Sequence, residues 1–577
     1  MKIVVVFKWA RDPEDAAVRS DGSVDWRGAK MAPGEDDAAA VAAGRVVAAA
    51  SGCSVVGLTI GDGDASWALA RGIERAVAVP DAPSLADNAA TAGLLAAAIG
   101  WIGEVGMVVI GDAEAYPGVP AALAGALGWP AVLGVSAVTF AEGRLVATRR
   151  MGGGEQTLSL GLPAVLAVAA ASAEKHAPGM KAILAARRRP VTAVSLADLG
   201  IGPLDGLESR GTRAPAAASA RIFEGSPLST ARQLVAALRT DGVLLGRGIG
   251  MPRTRTNEMT VEGWVLATGM RRLGGMVAAV RGMGAAVTVA AVGPRSVAEA
   301  AAAAGPDAVA WIEAAEGVPA EAYASALGRA AAAAKPRAVL ATTAPQDRAL
   351  LGAAAVALGA VVIPRILRIS LDDDAVVVDR TDLGSRVVET LACATSVAGL
   401  FGGEDIPPSK AATPAPIERL DVGSPADIRI EAVEPVSGAN VGVTNAERVV
   451  AVGRGLKAKA DLALVEGLAT ALGAEIGCSM PIADDRGWVA RERYIGRSGQ
   501  HISPRLYVAI GISGAPQHLD GARDAKAVVA INTDPGAPIF RRADYGIVGD
   551  LYEVIPAIEA ALGEDQSEDS RKGISHE

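Results

Sequence analysis

The feature that most constrains the fold of this chain is an internal repeat. Short apolar runs alternate with Ala-rich stretches in residues 1–199, and the same order returns in residues 259–436. Gly61, at the end of the run SVVGLTIG, corresponds to Gly293, and the Leu-Gly pair ending at Gly128 corresponds to the pair ending at Gly359. These offsets are 232 and 231 residues. An offset that stays nearly constant over many elements predicts two homologous domains in one chain.

The apolar runs predict strands, and the Ala-rich stretches predict helices. Runs such as KIVVVF and GMVVIGD are continuously apolar, as strands buried on both faces of a parallel sheet are. The segments VTFAEGRLVATRRM and TLSLGLPAVLAVA instead predict antiparallel strands. In the matching hairpin of the second copy, Arg380 is predicted to correspond to Arg150. The predicted fold class is therefore α/β, with two homologous, doubly wound, mainly parallel sheet domains.

A third α/β domain is predicted after a linker. Residues 200–258, rich in Arg, Ala, Pro and Gly, predict a tail and linker, and residues 437–577 predict a parallel α/β domain. Three strands of this domain are predicted to end at Gly511, Asn532 and Asp550, which places these residues in one crevice of the kind where α/β sheets bind nucleotides. A turn of small residues after Gly511 leads into a helix, which favours binding of phosphate or another anion.

Charge and cysteine content exclude several classes of function. The net charge of −9 gives no electrostatic support to duplex binding, so no nucleic-acid partner is expected. The three cysteines show no metal-ligand spacing, which predicts no metal site and fits a reducing compartment. Apolar windows are too short to span a bilayer, and Met1 leads directly into a predicted strand without a signal peptide. We therefore expect a cytoplasmic protein without membrane insertion.

The ordered motifs of the C-terminal third resemble those of the electron transfer flavoproteins. ERVVAVGRGLKAKADLALVEG, LYVAIGISGAPQHLDG, VVAINTDPGAPIF and ADYGIVGDL are similar, in this order, to the FAD domain of the family's α subunit. The preceding residues resemble the β subunit followed by the N-terminal part of the α subunit. The resemblance implies a β-like domain at 1–199, an α-subunit N-terminal-like domain at 259–436 and an FAD-binding domain at 437–577, with both subunits fused in one chain.

The resemblance implies that the C-terminal domain holds one FAD. Carried over residue by residue, the contacts fall on Arg454, Ser479, Arg497, Ser498, Ser513, Gly514, Gln517, His518, Asn532, Asp550 and Leu551. Arg454 can neutralise the diphosphate, and His518 can stabilise negative charge on the reduced ring. Asn532 and Asp550 would hold the adenosine end.

Two departures from the family pattern affect these expectations. Met480 stands where the family usually has an Arg near the flavin ring, which puts the reduction potential in question. In the N-terminal half, Ala32-Pro33-Gly34 and GDAEAYPGVPAALAG replace the family's Asn-Pro turn and Asp-x-Asp loop. Neither AMP nor a second FAD is therefore expected there.

The implied function is that of a redox carrier rather than a stand-alone enzyme. It would take electrons from a flavoprotein dehydrogenase, such as an acyl-CoA dehydrogenase of fatty acid oxidation, and pass them to a quinone reductase or another redox protein. Met180, where the family presents an exposed Leu, is the expected docking residue. The alternatives are a bifurcating flavoenzyme that oxidises NADH with two FAD per chain, and a non-redox sensor of adenine nucleotides.

Overall fold

A computed structural model describes most of the chain. The described residues are 1–13, 15–61, 63–113, 116–151, 154–169, 178–202, 207–215, 220–244, 261–383, 385–403, 406, 413–435, 442–496, 499–500, 502–523 and 525–573. They form two compact units. The larger is Met1–Met151, Glu155–Pro215 and Pro252–Glu434, and the smaller is Gly152–Gly154, Ala216–Met251 and Pro435–Glu577. The larger unit holds both copies of the repeat, called here the first lobe (1–199) and the second lobe (259–436); the smaller is called the C-terminal unit.

The first lobe and the segment after it contain the following elements. The strands of the first lobe are β1 (Lys2–Val6), β2 (Trp9–Arg11), β3 (Ala17–Val18), β4 (Val24–Asp25), β5 (Met31–Pro33), β6 (Ser54–Ile60), β7 (Arg75–Val79), β8 (Val105–Gly111), β9 (Ala131–Ala141), β10 (Arg144–Met151), β11 (Gly154–Leu160), β12 (Ala164–Val168) and β13 (Thr192–Ala193). Its helices are α1 (Asp37–Ser51), α2 (Ser66–Ala70), α3 (Asn88–Ile102), α4 (Val119–Leu127) and α5 (Met180–Ala186). The segment that follows holds β14 (Glu208–Arg213), β15 (Arg221–Phe223) and α6 (Pro227–Thr240).

The second lobe and the C-terminal unit continue the same alternation of strands and helices. The second lobe holds β16 (Glu262–Ala267), β17 (Ala286–Gly293), β18 (Ala308–Glu313), β19 (Ala338–Ala341), β20 (Val361–Asp372), β21 (Ala375–Asp382), β22 (Val387–Cys393), β23 (Val397–Phe401), β24 (Ile417–Arg419) and β25 (Ile428–Pro435), with α7 (Leu273–Gly282), α8 (Arg295–Ala303), α9 (Ala324–Ala334) and α10 (Pro345–Leu358). The C-terminal unit holds β26 (Arg448–Val452), β27 (Glu475–Cys478), β28 (Leu506–Ile510), β29 (Ala527–Asn532) and β30 (Tyr545–Val548), with α11 (Gly442–Asn445), α12 (Leu462–Leu472), α13 (Pro516–Ala522) and α14 (Leu551–Gly573). Among the described residues, no helix is both long enough and apolar enough to cross a bilayer.

Each lobe is built on one large twisted sheet. The strand order is β13-β7-β6-β1-β8-β12-β9-β10-β11-β25 in the first lobe and β14-β22-β21-β20-β23-β19-β16-β17-β18-β24 in the second. The central strands pair in parallel and are buried on both faces, which explains their continuous apolar runs. The β9–β10 and β20–β21–β22 pairs are antiparallel. The predicted α/β class with mainly parallel sheets is confirmed.

The register of the antiparallel strands corrects one detail of the repeat. Arg149 pairs with Val135, and Arg380 pairs with Ile366. Each of these pairs lies at a register shift in its hairpin, and the two pairs are 231 residues apart. Arg380 therefore corresponds to Arg149 and not to Arg150, because a shift of one residue along a strand moves a side chain to the opposite face.

The two lobes exchange edge strands. β14, which follows the first lobe in the chain, pairs antiparallel with β22 in the sheet of the second lobe. β25, at the end of the second lobe, lies beside β11 in the sheet of the first lobe. Within residues 200–258, β14 therefore completes a sheet of the second lobe, and β15 pairs with β30 in the C-terminal unit.

The lobes also contact each other through helices and buried charges. Helices α4 and α10 approach closely: a Cβ at Gly352 would lie 2.3 Å from the carbonyl oxygen of Ala121. Arg149 Nη1 lies 2.6 Å from Glu321 Oε1, and both side chains are 1% exposed. A buried charge is tolerated only when it is paired. The two lobes therefore share one interior rather than meeting at a hydrated surface.

Candidate functional site

The candidate site lies where the strand order of the C-terminal sheet reverses. The order is β15-β30-β29-β28-β26-β27, so β27 lies on one side of β26 and β28 on the other. The chain leaves β26 and β28 in opposite directions, which opens a crevice at their carboxyl ends. Residues 453–455 and 511–513 follow these two strands directly. This is the place where open α/β sheets bind nucleotides.

Glycines allow the two loops to approach each other in this crevice. A Cβ at Gly453 would lie 2.4 Å from the carbonyl oxygen of Gly511, and one at Gly455 would lie 2.7 Å from its Cα. Gly511 itself has φ +58°, a conformation that costs other residues about 1–2 kcal/mol. Gly514 has φ +86°, and a Cβ there would lie 2.3 Å from the Ile539 nitrogen. Larger residues would clash with the facing backbone and push these loops apart.

A cavity of about 630 Å³ opens over these loops, a size typical of cofactor sites. Eight of the eleven predicted FAD contacts line it: Arg454, Ser479, Ser513, Gln517, His518, Asn532, Asp550 and Leu551. Gly514 shapes the wall through its contact with Ile539 rather than lining the cavity. Arg497 and Ser498 lie outside the described residues.

The charge in this cavity favours an anion. Arg454 is exposed and has no ion pair or hydrogen bond within the described part of the chain. Lys457 also lines the cavity, and its Nζ lies 4.0 Å from Asp550 Oδ2 and 4.6 Å from the centre of the Tyr552 ring. An uncommitted guanidinium can form two parallel hydrogen bonds with a phosphate group. Arg454 is therefore the side chain best placed to bind a diphosphate.

His518 is buried and neutral. It is 6% exposed, and its Nε2 lies 2.6 Å from Tyr507 Oη, which is fully buried. Burial lowers the pKa of His518 to about 4, and the nearby backbone of Ile495 opposes this shift only in part. Among the described residues, Nδ1 has no partner at hydrogen-bond geometry. If Tyr507 donates to Nε2, the proton lies on Nδ1; the opposite tautomer would leave both the hydroxyl proton and Nδ1 unpaired.

Asn532 and Asp550 hold the loops of the crevice as well as lining it. Asn532 Nδ2 donates to the Ile512 carbonyl oxygen at 2.9 Å, and its Oδ1 accepts from the Asp534 nitrogen at 3.0 Å. Asp550 Oδ1 accepts from the Tyr552 nitrogen at 3.0 Å, which caps α14. These bonds tie the end of β29 to the loop after β28 and fix the start of the last helix.

The structure adds residues that the sequence analysis did not single out. Lys457, Tyr494, Ile531 and Thr533 line the cavity. Lys457 and Thr533 lie within a few residues of Arg454 and Asn532. Their position in loops at strand ends could therefore have identified them from the sequence. Tyr494 comes from a separate loop, and only the tertiary fold brings it here. Met480, at the position of the family's Arg, lines the cavity and is 47% exposed.

The predicted docking residue lies on a different element, in the larger unit. Met180 is the first residue of α5 and is 70% exposed. Leu184, one turn later, is 52% exposed. Arg187 and Arg188 follow at the end of the helix and are exposed. An exposed apolar pair with a basic flank is a feature of protein-binding surfaces.

Comparison with known proteins identifies two domains. Residues 24–199 match the electron transfer flavoprotein domain, and residues 442–523 match the electron transfer flavoprotein FAD-binding domain. The putative electron transfer flavoprotein subunit YdiR of Escherichia coli (strain K12) is 52% identical over 126 residues, 22% of this chain and 40% of that protein. Protein FixB of Escherichia coli O9:H4 (strain HS) is 49% identical over 123 residues, 21% of this chain and 39% of that protein.

The matched relatives are covered only in part, since this chain spans about two fifths of their length. The matched FAD-binding domain nevertheless contains both loops of the glycine-lined crevice, at 453–455 and 511–513. The other domain match covers most of the first lobe. The chain therefore contains an electron transfer flavoprotein domain in its N-terminal half and an electron transfer flavoprotein FAD-binding domain towards its C terminus.

Proposed function

We propose that this protein is an electron carrier in which the domains of both electron transfer flavoprotein subunits are fused and one FAD is bound in the C-terminal unit. The observation that carries the proposal is that the cavity and the family match fall on the same loops. The cavity at the strand-order reversal is lined by the residues that the family resemblance selects. The matched FAD-binding domain supplies two of the loops that form it, at 453–455 and 511–513.

The residues present fit an FAD. Gly453, Gly455 and Gly511 let the two loops under the cavity approach closely, and Arg454 is a cation without a partner in the described residues. In the proposed arrangement, Arg454 binds the diphosphate, and Ser479 and Ser513 donate hydrogen bonds to the cofactor. The bound FAD supplies the chemistry, which is reversible uptake of one or two electrons.

The chain's own groups would set the polarity around the ring. Because burial lowers the pKa of His518 to about 4, its imidazole is neutral at neutral pH and offers a neutral hydrogen-bond donor rather than a positive charge. Met480 offers a polarisable but uncharged thioether where the family has a guanidinium. We therefore propose that the flavin of this chain has a lower reduction potential than that of relatives with the Arg.

We propose that the partners are a flavoprotein dehydrogenase as donor, for example an acyl-CoA dehydrogenase of fatty acid oxidation, and a quinone reductase or another redox protein as acceptor, in the cytoplasm. The exposed Met180 and Leu184 support a docking role for α5. Met180→Glu should slow reduction by the donor at least tenfold through a higher KM. Val46→Glu, at an apolar residue of the same lobe that is 49% exposed, is the matched control.

Flavin content tests the central proposal. The purified chain should be yellow and release one FAD on denaturation. Arg454→Ala should weaken FAD binding roughly 10- to 150-fold, because a hydrogen bond to a charged group contributes about 1.5–3 kcal/mol. Lys459→Ala, at an exposed residue of the same loop that does not line the cavity, should have little effect.

Two results would contradict the proposal. A colourless protein that stays colourless when FAD is supplied would exclude the flavin site, and binding of ATP by such a protein would favour a nucleotide sensor. Two FAD per chain, with bleaching of the flavin by NADH, would favour the bifurcating enzyme instead.

A further inference from the structure

The first lobe has its own strand-order reversal, between β1 and β8. In its sheet, β6 and β7 lie on one side of β1, and β8 lies on the other. A nucleotide site would be expected at the carboxyl ends of these two strands. Lys8 follows β1 closely, and Asp112 follows β8 directly. The contacts of these residues decide whether a nucleotide fits.

The side chain of Asp37 occupies the place where a phosphate would bind. Asp37 Oδ2 accepts from the backbone nitrogen of Lys8 at 2.8 Å and from that of Gly34 at 2.7 Å. The carboxyl group also reaches the end of β8, since a Cβ at Gly111 would lie 3.0 Å from Asp37 Oδ1. Asp37 is the first residue of α1 and is 4% exposed. Two backbone donors that face this crevice, at Lys8 and Gly34, are therefore used by the chain itself rather than by a ligand.

Tyr116, which follows β8 in the chain, covers the amine of Lys8. The Nζ atom of Lys8 lies 2.9 Å from the centre of the Tyr116 ring, a cation–π contact. Burial lowers the pKa of Lys8 to about 7, although Asp37 and Asp382 act in the opposite direction. The amine is thus enclosed by the chain rather than presented to a ligand.

The other polar group of the crevice is committed to the second lobe. Arg348 of α10 binds Asp112 through both guanidinium nitrogens, with Nη1 2.6 Å from Oδ1 and Nη2 2.8 Å from Oδ2. Asp112 Oδ2 also accepts from the Gly134 nitrogen at 2.8 Å. The two side chains of the ion pair are 7% and 5% exposed. Breaking such a buried pair to admit a ligand would leave an uncompensated charge.

The crevice at the strand-order reversal of the second lobe is occupied in a similar way. Its strand order reverses between β16 and β19, and Thr268 and Thr342 lie just beyond these strands. Both hydroxyls donate to the carboxylate of Asp347 in the first turn of α10, Thr268 at 2.7 Å. Asp347 is 4% exposed. Here too a carboxylate of the chain takes up the donors at the strand ends.

We infer that the first lobe binds neither AMP nor a second flavin, because Asp37 and Tyr116 fill its nucleotide crevice and Arg348 already pairs with Asp112 beside it. The residues do not fit the nucleotide that the family holds in this domain. The inference concerns a different crevice from the proposed FAD site and stands apart from it. Among the described residues, the C-terminal cavity remains the dinucleotide site proposed above.

Native mass spectrometry of the purified chain tests this inference. We expect the mass of the chain plus one FAD, with no further mass when millimolar AMP or excess FAD is added. A retained AMP, or a second FAD per chain, would overturn the inference. A chain that carries neither FAD nor AMP would instead refute the proposed function and support the closed crevice, so the two failures are distinguishable.

A variant tests the cause of the closure. Asp37→Gly combined with Tyr116→Ala frees the two backbone donors and removes the ring over Lys8. We expect the folded double variant to gain an AMP adduct that the parent chain lacks. A double variant that retains its FAD and its tryptophan fluorescence but gains no AMP would refute the assigned role of these two residues. If the double variant does not fold, the measurement on the parent chain still decides the inference.

Discussion

Replacing Glu321 by Gln perturbs the buried contact between the two lobes without changing its shape. In the parent chain, Arg149 Nη1 lies 2.6 Å from Glu321 Oε1, while Arg149 Nε and Nη2 donate to Gln156 Oε1 at 3.0 and 2.8 Å. Both charged side chains are 1% exposed. In Glu321→Gln the guanidinium keeps Gln156 but loses its counter-charge in a site that water does not reach.

The expected loss of stability follows from this burial. Removing one partner of a buried ion pair costs about 3–5 kcal/mol, because the remaining charge stays desolvated. With an m-value of about 3 kcal/mol per molar urea, the midpoint of unfolding should fall by roughly 1–1.7 M. Arg149→Met combined with Glu321→Met should cost less than the single change, because no charge remains buried.

Unfolding of the larger unit can be monitored separately from that of the C-terminal unit. Of the 8 tryptophans only Trp488 lies outside it, so tryptophan fluorescence reports mainly on the two lobes. Glu299→Gln is the matched control, since its pair with Arg295 is 58% and 70% exposed and should contribute little. A midpoint shift for Glu321→Gln as small as that of Glu299→Gln would refute the view that the lobes share one dry interior.

Three further predictions concern the C-terminal unit. Gly511→Ala adds a Cβ 2.8 Å from Gly455 Cα at φ +58°, and flavin fluorescence titration should show at least roughly tenfold weaker FAD binding, from about 1–2 kcal/mol of strain plus the clash. The pKa of His518 is lowered to about 4 by burial, so its contribution to stability is complete above about pH 6.5 and is lost as the pH falls to 4. The free energy of unfolding, measured by urea titration, should fall by about 3 kcal/mol from pH 6.5 to pH 4. His518→Gln should abolish this part of the pH dependence. Met480→Arg places a positive charge in the cavity and should raise the flavin potential by roughly tens of millivolts in a spectroelectrochemical titration, whereas a fall would contradict the placement of the ring.

The local sequence pattern was sufficient to predict the strands that form the site. Strands buried on both faces must be continuously apolar, so the runs ending near Gly511, Asn532 and Asp550 identified β28, β29 and β30 and placed their ends in one crevice. The same pattern could not distinguish Arg149 from Arg150, because only the register of β10 decides which side chain points inward.

The sequence by itself determined the α/β class, the duplicated lobes and the crevice loops of the C-terminal unit, because burial and glycine requirements act on neighbouring residues. Only the tertiary structure decided which crevices stay open. Arg348 reaches Asp112 across 236 residues of sequence, and burial beside Tyr507 lowers the pKa of His518. Such contacts depend on how strands and helices meet in space, and no local periodicity records them.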